Sequence, residues 1–137
     1  MIREDNDFTQ NEIANILNVD RSTYAGWETG KDTIPLRKLS KFCDYFNLNI
    51  DYITQLTNKK NHRIIKKEIN IEEVGKNLKT IRNELNLKQK DIYTMLNTTS
   101  STYSAYESGK VLIKTSFVYK IAQEYNYSID WILGKIK

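Results

Sequence analysis

Ser22-Thr23-Tyr24-Ala25-Gly26-Trp27-Glu28-Thr29-Gly30-Lys31 returns later in the chain as Ser101-Thr102-Tyr103-Ser104-Ala105-Tyr106-Glu107-Ser108-Gly109-Lys110. The two copies stand 79 positions apart, and the offset holds without a gap from Phe8/Leu87 to Ile53/Ile132. Gln10/Gln89, Ile13/Ile92, Leu17/Leu96, Asn18/Asn97, Ile34/Ile113, Asn47/Asn126 and Asp51/Asp130 all match across it. Such a period means one small module used twice. The chain has 137 residues. Each copy takes roughly 55 to 65 of them, a size only marginally stable alone, so packing of repeat on repeat or chain on chain is expected.

Composition narrows the class. Cys43 is the only cysteine, so no disulfide framework forms within one chain, as in a reducing cytoplasm. No apolar run approaches the ~20 residues of a membrane span, and no membrane partner is expected. The first seven residues are acidic and polar, unlike a signal peptide. Net charge is +4, unevenly spread. Residues 1–56 hold six Lys/Arg against nine Asp/Glu, residues 57–70 five against one, and residues 71–137 ten against seven. A nucleic-acid partner therefore feels residues 57–137 more than the first repeat.

Local chemistry places the helices. Thr9 followed by Glu12 is a capping-box pattern, and Ile13, Ile16 and Leu17 make one apolar stripe. Asn18 suits a left-handed turn and Val19 is expected to point inward. Asp20 caps a second helix running through Trp27 and Glu28 to about Thr29, and Gly30 stands where a helix end commonly needs φ > 0. Helix, tight turn, helix is the helix-turn-helix signature. Pro35 opens a third helix at its first position, with Leu36, Leu39, Phe42, Cys43 and Phe46 on one face. Asn47 ends it, and a short last helix over Ile50 to Leu56 turns Ile50 and Ile53 inward. Residues 57–70, with Lys59, Lys60, Arg63, Lys66 and Lys67, form a basic linker that Ile64 and Ile65 can dock. Asn70 and Glu73 cap a long helix carrying Ile71, Val74, Leu78, Ile81 and Leu85, after which the second copy follows the first. Only the tail of the corresponding helix stands before Phe8: either the first repeat has lost most of it or the start lies upstream. The expected fold is all-α, with five-helix domains over 1–56 and 71–137.

Gln-x-x-Ile-Ala-x-x-Leu-Asn-Val, Arg-Ser-Thr-Tyr-x-x-Trp-Glu-x-Gly-Lys and Pro-Leu-x-x-Leu together resemble the Cro/lambda-repressor-like (XRE-type) helix-turn-helix family over residues 2–56 and 71–134. The resemblance implies that the helix after the turn enters the DNA major groove while the one before it lies across the backbone. The expected reading residues are Arg21, Ser22, Thr23 and Gly26 in repeat 1 and Ser100, Ser101, Thr102 and Ser104 in repeat 2. Arg21 leads them, because a guanidinium bonds O6 and N7 of guanine together. Gln10 and Gln89 correspond to the glutamine that in the family bonds a phosphate and steadies the recognition helix. Lys31 and Lys110 are expected backbone contacts. Repeat 2 departs from the pattern at Tyr93, where alanine is usual and repeat 1 has Ala14, and at Thr98. It also lacks Arg or Lys in the first turns of its recognition helix. Repeat 1 is thus expected to supply more specificity, and the linker and repeat 2 more charge.

The function expected is sequence-specific binding of double-stranded DNA by a cytoplasmic, bacterial or phage-encoded regulator, most simply a repressor, with no cofactor. Two recognition helices would read half-sites roughly 34 Å apart, a span that fourteen extended linker residues, reaching about 46–50 Å, cover. The alternative is a protein-interaction module of antitoxin or phage-inhibitor type, with repeat 2 as the adaptor surface. No paired-carboxylate, Cys/His or glycine-rich phosphate motif stands at usable spacing, so no enzyme is expected. Tyr24, Trp27, Tyr103 and Tyr106 suit core packing better than base stacking. Cys43 suits a buried thiol, and His62 has no companion ligands for a metal. The resemblance implies that Glu28 and Glu107 are structural rather than acid–base groups, and the sequence shows neither an evident partner. Tyr52 and Trp131, on the last helices, either pair chains into a homodimer or pack repeat on repeat.

Overall fold

Among the described residues, N-cap side chains start five of the ten helices. The computed structural model describes residues 2–60 and 64–137; His62 and Arg63 lie outside the described residues. After a four-residue helix α1 (Ile2–Asp5), Thr9 caps α2 (Gln10–Ile16). Its hydroxyl accepts from the Glu12 amide at 3.1 Å, and its own amide donates to the Glu12 carboxylate at 3.0 Å. This satisfies donors that the first turn leaves orphaned. Asp20 does the same for α3 (Arg21–Thr29), accepting from Thr23 N at 2.8 Å. Pro35 lies just outside α4 (Leu36–Tyr45) rather than at its first position: its ψ of 147° is extended, and it is the cap whose carbonyl accepts from Leu39 N. The last helix of the repeat, α5 (Ile50–Ile53), is a single turn. Repeat 2 supplies α6 (Ile71–Glu84), α7 (Gln89–Met95), α8 (Ser100–Glu107), α9 (Thr115–Tyr125) and α10 (Ile129–Ile132), and no strand occurs among the described residues. Asn70, Thr99 and Ser128 cap α6, α8 and α10. Leu85, expected inside, ends α6 with 40 % of its surface exposed.

The left-handed backbone positions are also duplicated. Asp7, Asn18, Gly30, Asn47 and Gln55 all have φ > 0, and their partners at the same offset, Asn86, Asn97, Gly109, Asn126 and Gly134, do so too. Asparagine and glycine dominate because other residues crowd their Cβ there. Each repeat therefore folds along the same path through its turns.

Two cores result, and they do not follow the repeats. A small one holds Ile13, Ala14, Leu17 and Tyr24, with Phe8, Val19 and Trp27 partly buried against it. The larger is shared: Leu36, Leu39, Cys43, Leu48 and Ile50 of repeat 1 join Val74, Leu78, Ile81, Ile121, Ile129 and Ile132 of repeat 2. The apolar face of α4 thus serves both, with Phe42 and Phe46 touching each. In repeat 2 the long helix α6 crosses the end of α8 at Gly75, where a Cβ would stand 2.5 Å from the Glu107 carbonyl oxygen. Tyr106 beneath it is 3 % exposed, whereas its counterpart Trp27 is only partly buried.

The repeats are joined by a reciprocal exchange. Asp130 of α10 accepts from Ile50 N at 3.0 Å and Asp51 N at 2.9 Å at the start of α5. Asp51 in turn accepts from Ile129 N at 2.7 Å, and from the Ser128 hydroxyl, at the start of α10. Each carboxylate caps the other repeat's last helix, the pattern of a two-fold axis within one chain. The linker is not a free spacer between them. Ile65 N donates to Lys135 O at 2.6 Å, Asn49 N to Lys60 O at 2.7 Å, and Arg37 Nη1 to the carbonyl of the buried Ile69 at 3.1 Å. Ile64 is half-buried as expected, but Ile65 docks by its backbone and leaves 40 % of its surface exposed.

Candidate nucleic-acid interface

In repeat 1 the exposed Arg21 opens α3 at the end that a recognition helix presents to base edges. Its Nη1 donates to Gln10 Oε1 at 3.2 Å; Gln10 Nε2 donates to Glu28 Oε1 at 3.1 Å; and Glu28 accepts from Arg3 Nε at 2.6 Å and Nη2 at 3.2 Å. Arg3 also donates to Phe8 O at 2.8 Å. Four side chains, Arg3, Glu28, Gln10 and Arg21, thus form one relay from α1 to the start of α3. The Arg3 guanidinium, with help from Tyr24 and Gln10 and against the effect of burial, holds the Glu28 carboxyl down at about 2. Glu28 is therefore not the partnerless carboxylate that its motif suggested. Its partner lies 25 residues away, and the only hint in the sequence was the repeat, which sets Arg3 on Arg82. Ser22 and Thr23 are exposed, and Ser22 donates to Asp20 at 3.0 Å. Lys31 is exposed one residue past the Gly30 cap. Gly26 is buried, and a Cβ on it would stand 3.2 Å from the Asp32 carboxylate. It presents little outward surface.

Repeat 2 rebuilds the same network and stops one residue short. Arg82 Nε and Nη2 donate to Glu107 at 2.9 and 3.1 Å, and Gln89 Nε2 donates to Glu107 at 3.3 Å. Ser100 stands where Arg21 stands, so no guanidinium continues the relay. Ser100, Ser101, Ser104 and Lys110 are exposed, and Thr102 is half-buried with its hydroxyl accepting from Thr99 at 2.9 Å. Val111, 52 % exposed, takes the place of Asp32. Tyr93 packs half-buried against the shared core, while Ala14 is fully enclosed.

The motif aromatics are structural. Tyr24, Tyr103 and Tyr106 are 5, 0 and 3 % exposed, and Tyr24–Trp27 and Tyr103–Tyr106 meet edge-on with centroids 6.3 Å apart in each pair. Burial beside the paired glutamates raises the Tyr24 and Tyr103 hydroxyls well above their usual range. Burial likewise pushes the Cys43 thiol up to about 12, which removes its thiolate chemistry. Among the described residues no group of three or more His, Cys, Asp or Glu is placed to hold a metal ion. No helix among them is long and apolar enough to cross a membrane.

A helix-turn-helix family matches residues 1–53, and a second, a helix-turn-helix domain family, matches residues 75–136. This chain carries two helix-turn-helix domains in tandem. The arrangement is consistent with an XRE-type DNA-binding regulator with two copies of the domain. No curated protein and no solved structure matches the chain significantly.

Proposed function

We propose that the chain binds double-stranded DNA sequence-specifically as a covalent pseudo-dimer and represses by occupying promoter DNA, as a phage or mobile-element regulator does. The observation that carries the reading is Arg21, exposed at the first position of α3 and aimed by Gln10. Domain 1 (1–56) reads with Arg21, Ser22 and Thr23, while Gln10 and Lys31 meet phosphates. Domain 2 (71–137) reads with Ser100, Ser101, Thr102 and Ser104, flanked by Gln89 and Lys110. The basic linker (57–70) adds charge between them. Gly26, being buried, is left out of the reading set. Because the reading residues differ, the two half-sites differ.

One chain is the binding unit in this reading. The α5–α10 contact that would pair two chains is already made within one, and Tyr52 and Trp131 pack against the shared core instead. The test is a titration on the gene's own upstream DNA against scrambled DNA at two salt concentrations. It compares wild type, Arg21→Ala and Ser100→Ala/Ser101→Ala. Loss of preference in both variants supports the tandem reader, and equal, strongly salt-dependent binding to every DNA by all three defeats it. One observation favours a second reading for repeat 2. Its reading face is uncharged serine, and Val111, past the other end of α8, is exposed, which suits a protein contact. Loss of preference in Arg21→Ala alone would select that reading.

A further inference from the structure

The reciprocal Asp51/Asp130 contact is symmetric, whereas the Lys135 contact is not. Lys135, just beyond α10, has none of its surface exposed. Its Nζ reaches across to α4 of repeat 1 and donates to Ser40 Oγ at 2.6 Å, Asp44 Oδ1 at 2.5 Å and, more weakly, Ser40 O at 3.4 Å. Its backbone is held as well, donating to Asp130 O at 2.7 Å and accepting from Ile65 N. At the equivalent position repeat 1 has Leu56, and the positions equivalent to Ser40 and Asp44 are Tyr119 and Gln123. The other half of the seam therefore fills this place without a charge.

A buried ammonium is a costly way to gain stability. Apolar residues of the same volume usually do as well or better, and the attested return on a buried ion pair is a defined geometry. Apolar surfaces slide over one another; three oxygens on one helix around one ammonium do not. The helix so gripped is α4, whose Phe42 and Phe46 pack against the small core that seats Tyr24 of the recognition helix α3. We propose that Lys135 is a positioning residue, a strut that fixes repeat 2 on α4 and so sets the separation and phase of the two recognition helices. The inference rests on the half-site reading above for its effect on DNA, and on the seam alone for its effect on geometry. For a tandem reader the phase matters: one inserted base pair moves a half-site by about 3.4 Å along the duplex and about 35° around it.

The experiment separates the two dependences. Spin labels go on Thr29→Cys and Ser108→Cys, equivalent exposed positions near the C-terminal ends of α3 and α8. The distance distribution is recorded without DNA for the otherwise wild-type chain, for Lys135→Met, and for Lys135→Met/Asp44→Leu. The double variant removes both charges so that no carboxylate is left unpaired, and it is expected to melt within a few degrees of wild type. Wild type should give one narrow distance, and the folded variants a distribution roughly twice as wide. The unlabelled proteins are then titrated on the upstream DNA with zero, one or two base pairs inserted between the half-sites. Wild type should lose about tenfold in affinity per inserted pair and the double variant less than about threefold. An unchanged distribution in a folded double variant overturns the strut. A broadened distribution with no spacing preference in wild type supports the strut and defeats the half-site reading instead.

Discussion

Arg3→Ala, with Arg82→Ala as its internal counterpart, probes the network beneath α3 and α8. The Arg3 and Glu28 side chains are 12 and 10 % exposed, and those of Arg82 and Glu107 18 and 5 %. These pairs sit between two regimes. An exposed pair contributes at most about 1 kcal/mol, whereas removing one partner of a fully buried pair costs about 3–5 kcal/mol. Arg3→Ala deletes the two-pronged contact to Glu28 and the bond to Phe8 O. It leaves the carboxylate with Gln10 and Tyr24 for company. Placing these pairs between the exposed and the fully buried limits gives about 2–3 kcal/mol for each arginine. In urea at pH 7 that moves the midpoint down by about 1 M at an ordinary slope for a chain of this size. The pH dependence carries a sign. Because Glu28 in the folded protein is held at about 2, below its ordinary value, its contribution is complete above about 4.5 and is lost as pH falls toward 2. Arg3→Met/Glu28→Leu, which removes both charges, should cost less than about 1 kcal/mol and flatten that acid-side loss. An Arg3→Ala protein within about 0.5 kcal/mol of wild type would refute the view that the pair is buried enough to matter.

Urea unfolding followed by tryptophan fluorescence and by helical circular dichroism should give one coincident transition, because the larger core draws on both repeats; two separated transitions would contradict it. Gly75→Ala should destabilise by about 2–3 kcal/mol in the same assay, since its new methyl lies within 2.8 Å of two backbone oxygens of α8 and neither can swing aside. Gln55→Gly should raise stability by about 0.5–1 kcal/mol, because Gln55 holds φ 66° where its counterpart is already glycine at φ 75°. Burial, reinforced by Asp51 across the seam, lifts Asp130 to about 7, so the folded protein holds its proton more tightly than the unfolded chain does. Stability should therefore fall as pH rises from about 4 to about 7 and level off above. Melting temperatures of Asp130→Asn over the same range should lack that fall, and an identical slope in both proteins would remove Asp130 as its source.

What the sequence by itself determined about this chain is local and repeated. Thr9 with Glu12, Asp20, Gly30 and the asparagines at φ > 0 act over four residues or fewer. Their consequences were legible before any fold was known, and the offset doubled each signal. The place of Arg21 at the first position of α3 was legible for the same reason: it follows from counting along a helix from Asp20. Other features depend on the approach of residues far apart in the chain. Lys135 meets Ser40 95 positions away, and Asp51 and Asp130 exchange caps across the full offset. A terminal lysine looks solvated in a sequence, and nothing local says that α4 will carry a serine and an aspartate to meet it. The docking of the linker, the burial of Gly26 against Asp32 and the incomplete cover over Trp27 belong to the same class. Local chemistry wrote two helix-turn-helix units; which of their faces would be spent on each other, and which left for DNA, was decided only when the two apolar surfaces closed into one core.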